Sequence, residues 1–220
     1  RQLFGWVHGR LETDLSRMSS LPREFRDRLS QEYRVTRAEL EREVASGDGD
    51  TKKRLLRLSD GQTLESVLMF ASASARAEDR HTVCVSSQVG CALGCAFCVT
   101  GQVGFGRQLT AGEIVEQVYH FERELREAAP PGHDPRHRAV TNVVFMGMGE
   151  PLANYRAAIG AIRLLTAPEG FGLGARRITV STAGIVPGID KLSEEGFQAG
   201  LGGAVQGGGD ETRSRIMPVN

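Results

Sequence analysis

From His81 onward the chain alternates short β-prone apolar runs with amphipathic stretches of helical period. This alternation limits the architectures open to the chain more than any other feature. His81–Ser86, Thr141–Met146 and Arg177–Ser181 read as strands. Thr110–Leu125 reads as a helix: Thr110 and Glu113 make a capping box, and Ile114, Val118, Phe121 and Leu125 recur at helical spacing. Further helices are expected over Tyr155–Leu165 and Ile189–Glu195. A strand–helix–strand order predicts an α/β fold with parallel strands and crossover helices. Roughly four such units fit into residues 81–220, about half of a closed eight-unit barrel. A partial (βα) barrel, open or unfinished at its C-terminal edge, is the expectation.

Upstream the pattern changes. Residues 1–46 read as short helices, with Leu3, Phe4, Trp6 and Val7 on one face and a helix start at Leu21-Pro22-Arg23-Glu24. Ser46-Gly47-Asp48-Gly49-Asp50 reads as a linker or turn, and Asp60-Gly61 between two apolar runs reads as a β-hairpin. The expected organisation is a helical domain over 1–50, a hairpin and connecting loop over 51–80, and an α/β core over 81–220. Ala71–Asp79 and the Pro-rich Ala129–His137 read as loops.

Charge excludes some partners. Lys plus Arg is 27 and Asp plus Glu is 27, so no sequence-independent grip on nucleic acid is written into the overall balance. The nine Arg of residues 1–46 face eight acidic residues, so a phosphate-binding role there is a weak signal. No run reaches the ~18 apolar residues of a membrane span, and the first residues lack a signal-peptide pattern. The missing Met at the start and the abrupt finish at Met217-Pro218-Val219-Asn220 suggest a piece of a longer protein. A reducing cytoplasm is the expected location, with thiols free for metal.

Three of the four cysteines fall in Cys91-Ala92-Leu93-Gly94-Cys95-Ala96-Phe97-Cys98. Three thiolates this close in one loop can converge on one metal centre, and iron–sulfur clusters are held by such thiolates. Three ligands on a four-iron cluster leave one iron open. Zinc held with Cys84 or His81 is the competing reading, although structural zinc sites more often pair C-x2-C elements. A disulfide would leave an odd thiol. The loop follows a strand, which places it at the carboxyl end of the sheet, where α/β folds bind ligands.

Met146-Gly147-Met148-Gly149-Glu150-Pro151 directly follows another strand. Its two glycines allow close backbone approach, and Glu150 can accept hydrogen bonds from an amine. A plain Gly-rich strand-to-helix turn explains the run about as well. Cys84 by itself reads as a buried strand thiol, Glu65 as an exposed face of a hairpin, and Ser181 as a turn hydroxyl.

Taken together these stretches resemble the radical S-adenosylmethionine superfamily and, more closely, the RlmN/Cfr family of ribosomal RNA adenine methyltransferases. The matching runs are Cys84–Cys98, Phe145–Leu152, Arg177–Thr182 and Ile216–Asn220, in order and at matching spacing. The resemblance implies a [4Fe-4S] cluster on Cys91, Cys95 and Cys98. S-adenosylmethionine would sit on its open iron, with Gly149 and Glu150 at the methionine amino group and Ser181 at the ribose. Cys84 would be the thiol that removes a proton from the methylated carbon and resolves a protein–RNA adduct as a disulfide. Glu65 matches a position assigned as proton acceptor, although its segment is longer here than in the family. The implied reaction methylates carbon 2 of an adenine in 23S rRNA, and in some members a tRNA, with electrons from a separate donor. Carbon 8 of the same base is the alternative within the family. A non-catalytic, metal-stabilised RNA-binding module is the alternative outside it.

Two departures stand out. The family's methyl-carrying Cys lies beyond the equivalent of Asn220, and no Cys follows Cys98, so the chain as given would not complete that turnover. Where the family has a strand ending Ser-Leu-His, this chain has Ala204-Val205-Gln206 within a ten-residue run, Gly200–Gly209, that holds six glycines. That strand is expected to be weak.

Overall fold

The computed structural model describes residues 1–35, 37–70, 80–129 and 138–219. The loop expected over Ala71–Asp79 lies outside these residues, as does the Pro-rich loop from 130 to 137.

Seven strands form one sheet: β1 (Glu39–Ala45), β2 (Thr51–Arg57), β3 (Thr63–Phe70), β4 (His81–Cys84), β7 (Asn142–Phe145), β8 (Ile178–Thr182) and β9 (Gly200–Gly203). They lie in the order β1-β2-β3-β4-β7-β8-β9. β1, β2, β3 and β4 pair antiparallel in turn, and β4, β7, β8 and β9 run parallel. A separate two-stranded ribbon pairs β5 (Gln88–Gly90) with β6 (Phe105–Gln108). The helices are α1 (Gln2–Phe4, continued by a π turn Gly5–Gly9), α2 (Arg23–Glu32), α3 (Val99–Val103), α4 (Ala111–Glu127), α5 (Tyr155–Thr166), α6 (Val186–Glu194) and α7 (Asp210–Ile216). The mixed α/β architecture with parallel strands and crossover helices is the one expected.

α4 forms where its pattern requires. Thr110 and Glu113 close the capping box reciprocally, and Ile114, Val118 and Phe121 are fully buried. They and α5's Ile159, Ile162 and Leu165 cover Val83, Val143, Phe145, Ile178 and Val180 of the sheet. Full burial of each such side chain stabilises the fold by about 1.5–3 kcal/mol. The helices thus coat one face of the parallel strands only. A smaller apolar cluster of Leu15, Met18 and Leu21 holds the N-terminal helices.

One expectation fails. Residues 39–45, read as helical, are the exposed edge strand β1. No face of this segment is buried, so a helix there would have nothing to pack against. Pairing with β2 supplies its backbone partners. Its acidic side chains meet that strand's bases: Glu43 holds Arg54 at 2.7 Å and Glu41 holds Arg57 at 2.8 Å. Ser46–Asp50 is accordingly the turn of a hairpin, with the Ser46 N–H donating to Thr51 O at 2.9 Å.

Candidate active site

Register places the candidate residues. Cys84 lies opposite Val67 of β3 and beside Val144 of β7, which lies beside Thr179 of β8. One pleat further along, Ser181 lies beside Gly202. Side chains alternate between faces along a strand, so Glu65, Cys84, Val144, Thr179 and Ser181 share the face that the helices leave uncovered. All five are half-buried. Glu65 pairs there with Lys53 at 3.0 Å. Burial pushes the Cys84 thiol pKa up, partly offset by a backbone hydrogen bond from Met146.

The cysteine loop is the head of the β5–β6 ribbon. Its base is closed by the Cys91 N–H donating to Gly104 O at 3.0 Å. Its tip is held by the Cys98 N–H donating to Cys95 O at 3.1 Å and the Ala96 N–H donating to Ile216 O at 3.0 Å. The far end of α7 therefore anchors the loop. Cys95 is buried, while Cys91 and Cys98 are half-buried. The Cys95 thiol is pushed up by burial first, then by the neighbouring Cys91 and Cys98 and by Glu150. Cys95 thus lies within electrostatic reach of the other two thiols and of Glu150.

All four cysteines are free. Among the described residues no three His, Cys, Asp or Glu side chains converge as ligands of a single ion. His81 sits at the other end of β4 from Cys84, its Nδ1 2.8 Å from Ala139 O and its ring edge-on to Phe70. The zinc set that includes His81 is therefore not assembled. A four-iron cluster asks something different of a loop: thiols spread around a cube.

Glu150 caps the short 3-10 turn Pro151–Asn154, accepting from the Leu152 N–H at 2.9 Å, and its other oxygen accepts from the Ala183 N–H at 2.8 Å. It is 4% exposed. Among the described residues no cation pairs with it. A buried carboxylate held only by backbone N–H groups keeps unused lone pairs and an uncompensated charge, which fits an incoming ammonium. The residues present thus fit both a thiolate-held cluster and the amino group of an amino-acid ligand.

Sequence reasoning missed the polar residues that hold these parts together. Gln117 of α4 clamps Ser86 through both backbone groups, accepting from its N–H at 2.8 Å and donating to its carbonyl at 2.9 Å. The Ser86 hydroxyl donates to Glu65 O at 2.6 Å and accepts from the Met148 N–H at 2.9 Å. Asn154 donates to Ser87 O and Leu109 O at 2.8 and 2.7 Å. The two glycines before Glu150 lie against Ser86 and Gln88. A Cβ on Gly147 would lie 2.8 Å from the Ser86 hydroxyl, and one on Gly149 2.5 Å from Gln88 Cβ. The only available signal was the polar run Ser86-Ser87-Gln88 between two apolar strands.

The family model described as "Radical SAM superfamily" matches residues 85–220. A protein from Moorella thermoacetica named "Probable dual-specificity RNA methyltransferase RlmN" is 43% identical over 220 residues, covering all of this chain and 60% of its own length. One from Nitrosopumilus maritimus named "Ribosomal RNA large subunit methyltransferase N" is 45% identical over 208 residues, covering 94% of this chain and 57% of its own length. The crystal structure of a radical SAM methyltransferase from Sphaerobacter thermophilus superposes with a TM-score of 0.87 at 46% identity, over all of this chain and 60% of that one. The chain therefore spans less than two thirds of the length of these relatives. Among the described residues no helix is long and apolar enough to cross a membrane. With the cysteine loop, the strand order and the matched region all in agreement, the chain belongs to the Radical SAM superfamily.

Proposed function

We propose that this chain carries the cofactor-binding part of an RNA methyltransferase acting on carbon 2 of an adenine, in 23S rRNA and also in tRNA. The observation that carries the reading is a loop of three free thiols near a buried carboxylate that pairs with no cation among the described residues, at the carboxyl edge of a parallel sheet. Cys91, Cys95 and Cys98 would hold a [4Fe-4S] cluster. Glu150, beside Gly149, would orient the amino group of S-adenosylmethionine, and Ser181 would lie at its ribose. The group so bound supplies the radical chemistry that an sp2 ring carbon requires, which polar methyl transfer does not reach.

Cys84 stands on the same sheet face as Ser181 and, as a proton-holding thiol at neutral pH, awaits a basic partner. Glu65, two residues along β3 from the residue facing Cys84, is proposed as the acceptor that takes that proton. It pairs with Lys53 at 3.0 Å on that face. The target base must leave its stack to reach this face. An electron donor and a cytoplasmic location complete the proposal.

The test is anaerobic reconstitution with iron and sulfide. About four irons per chain, with the broad visible absorbance of a cluster and saturable S-adenosylmethionine binding, support the reading. Colourless protein that takes up zinc alone overturns it. Mass spectrometry of adenosine modified by a full-length relative carrying this segment separates carbon 2 from carbon 8.

A further inference from the structure

Gln88 is fully buried. A primary amide brings two donors and two acceptor lone pairs into the interior, where each needs a partner. Its oxygen accepts from the Glu150 N–H at 3.0 Å and lies 3.5 Å from the Ala92 N–H, inside the cysteine loop. Its nitrogen donates to Gln108 Oε1 at 2.9 Å, and Gln108 in turn donates to Ala153 O at 3.0 Å. A backbone N–H can only donate, so the amide atom facing Glu150 is the oxygen. The stem lies on Gly149, where no side chain fits. One side chain thus touches the backbone of the cysteine loop, the backbone of Glu150 and, through Gln108, the turn after it.

We propose that Gln88 is a positioning residue that fixes the separation between the cysteine loop and Glu150, and so governs affinity for a ligand gripped by both. The ligand class is an amino acid whose amino group meets the carboxylate while its own carboxyl group reaches the thiol-held centre. This rests on the functional reading above, with S-adenosylmethionine as the ligand. Packing alone would make Gln88 replaceable by any side chain of its volume. Positioning makes the acceptor oxygen indispensable and the volume secondary.

Two variants of the reconstituted chain give opposite orders under these two accounts. Gln88→Met keeps the volume and removes the acceptor. Gln88→Glu keeps the acceptor and, when protonated, also the donor to Gln108. The measurements are iron content per chain, S-adenosylmethionine affinity by equilibrium dialysis, and the change in the electron paramagnetic resonance signal of the reduced cluster on adding it. The expected result is unchanged iron content in both, about tenfold weaker binding and a lost spectral response in Gln88→Met, and affinity within about threefold of the parent in Gln88→Glu. Tight binding by the Met variant, or a Glu variant weaker than it, overturns the proposal. If Gln88→Met does not fold, Gln108→Leu removes only the second contact, and affinity unchanged from the parent then overturns the proposal. Failure of the parent chain itself to bind S-adenosylmethionine with its cluster loaded would sink the functional reading, a result distinct from any ranking of variants.

Discussion

Gly90 precedes Cys91 and Gly94 precedes Cys95, both at positive φ, +72° and +63°, and replacing each by Ala separates two effects usually entangled. A left-handed conformation costs a non-glycine residue about 1–2 kcal/mol, and this applies to both. The gain from a stiffer unfolded chain, about 0.4–1 kcal/mol, also applies to both. The surroundings differ. A Cβ on Gly94 meets nothing within 4 Å, whereas one on Gly90 would lie 1.9 Å from Gly104 O and 3.0 Å from its carbon. An ordinary carbon–oxygen contact is about 3.3 Å, and the obstacle is backbone, which cannot rotate away. The ribbon must part by more than about 1 Å, and the bond from the Cys91 N–H to that same carbonyl opens with it. Overpacking of about 1–3 kcal/mol and a lost hydrogen bond of about 1 kcal/mol make Gly90→Ala about 2–4 kcal/mol worse than Gly94→Ala. Urea denaturation of the metal-free chains measures the difference, with Gly47→Ala, where a Cβ meets nothing and φ is ordinary, as the control. A gap under about 1 kcal/mol would refute the claim that the ribbon's close approach holds the cysteine loop.

Arg213 of α7 donates to Ala204 O at 3.0 Å and Val205 O at 2.7 Å and also to Ala183 O, bracing the ends of β8 and β9. Arg213→Ala is expected to destabilise this edge by about 1.5–3 kcal/mol, seen as faster amide exchange at Ala204, whose N–H bonds Thr182 O, while α4 stays protected. His120 accepts from Arg54 at Nδ1 at 2.8 Å, and burial, then Arg54, Arg123 and Arg37, hold its pKa down from 6.5 to about 4. The unfolded chain therefore takes up this proton first, so stability present above pH 6.5 falls as pH drops toward about 4. Allowing for solvent at this half-buried ring, the loss is about 1–2 kcal/mol. Thermal melts across that window should show His120→Gln, which keeps an acceptor for Arg54, with a flatter profile than the parent; parallel profiles would contradict the assignment.

What the sequence revealed followed from where its signals are local. α4 was legible because a capping box and a buried stripe both lie within seventeen contiguous residues. β1 was not, because it owes its conformation to a partner strand and to Arg54 and Arg57 across it, and charged residues at 41, 42 and 43 carry no period of either kind. The cysteine loop could be read from spacing alone. Gln88, Gln117 and Asn154 could not, since a buried amide declares itself only through the backbone groups it reaches, and those lie 62, 31 and 67 positions away.

The same distinction explains the Gly-rich β9, which its glycine content marked as a weak strand. Its glycines are not forced by crowding at Gly203, where a Cβ meets nothing, and only lightly at Gly202, where the nearest atoms are 3.9 Å away. A side chain would fit at Gly202, so its absence leaves the Ser181 neighbourhood open rather than filled. The strand still forms, because β8 pairs along it and Arg213 ties the carbonyls of Ala204 and Val205 just beyond it. Periodicity assigns a residue to a face, but only the order of strands says which residues share that face. Glu65, Cys84, Thr179 and Ser181 come from strands that meet only through the order β3-β4-β7-β8. A chain of this pattern with β7 elsewhere would keep every motif and lose the juxtaposition, so the site belongs to the topology as much as to the motifs.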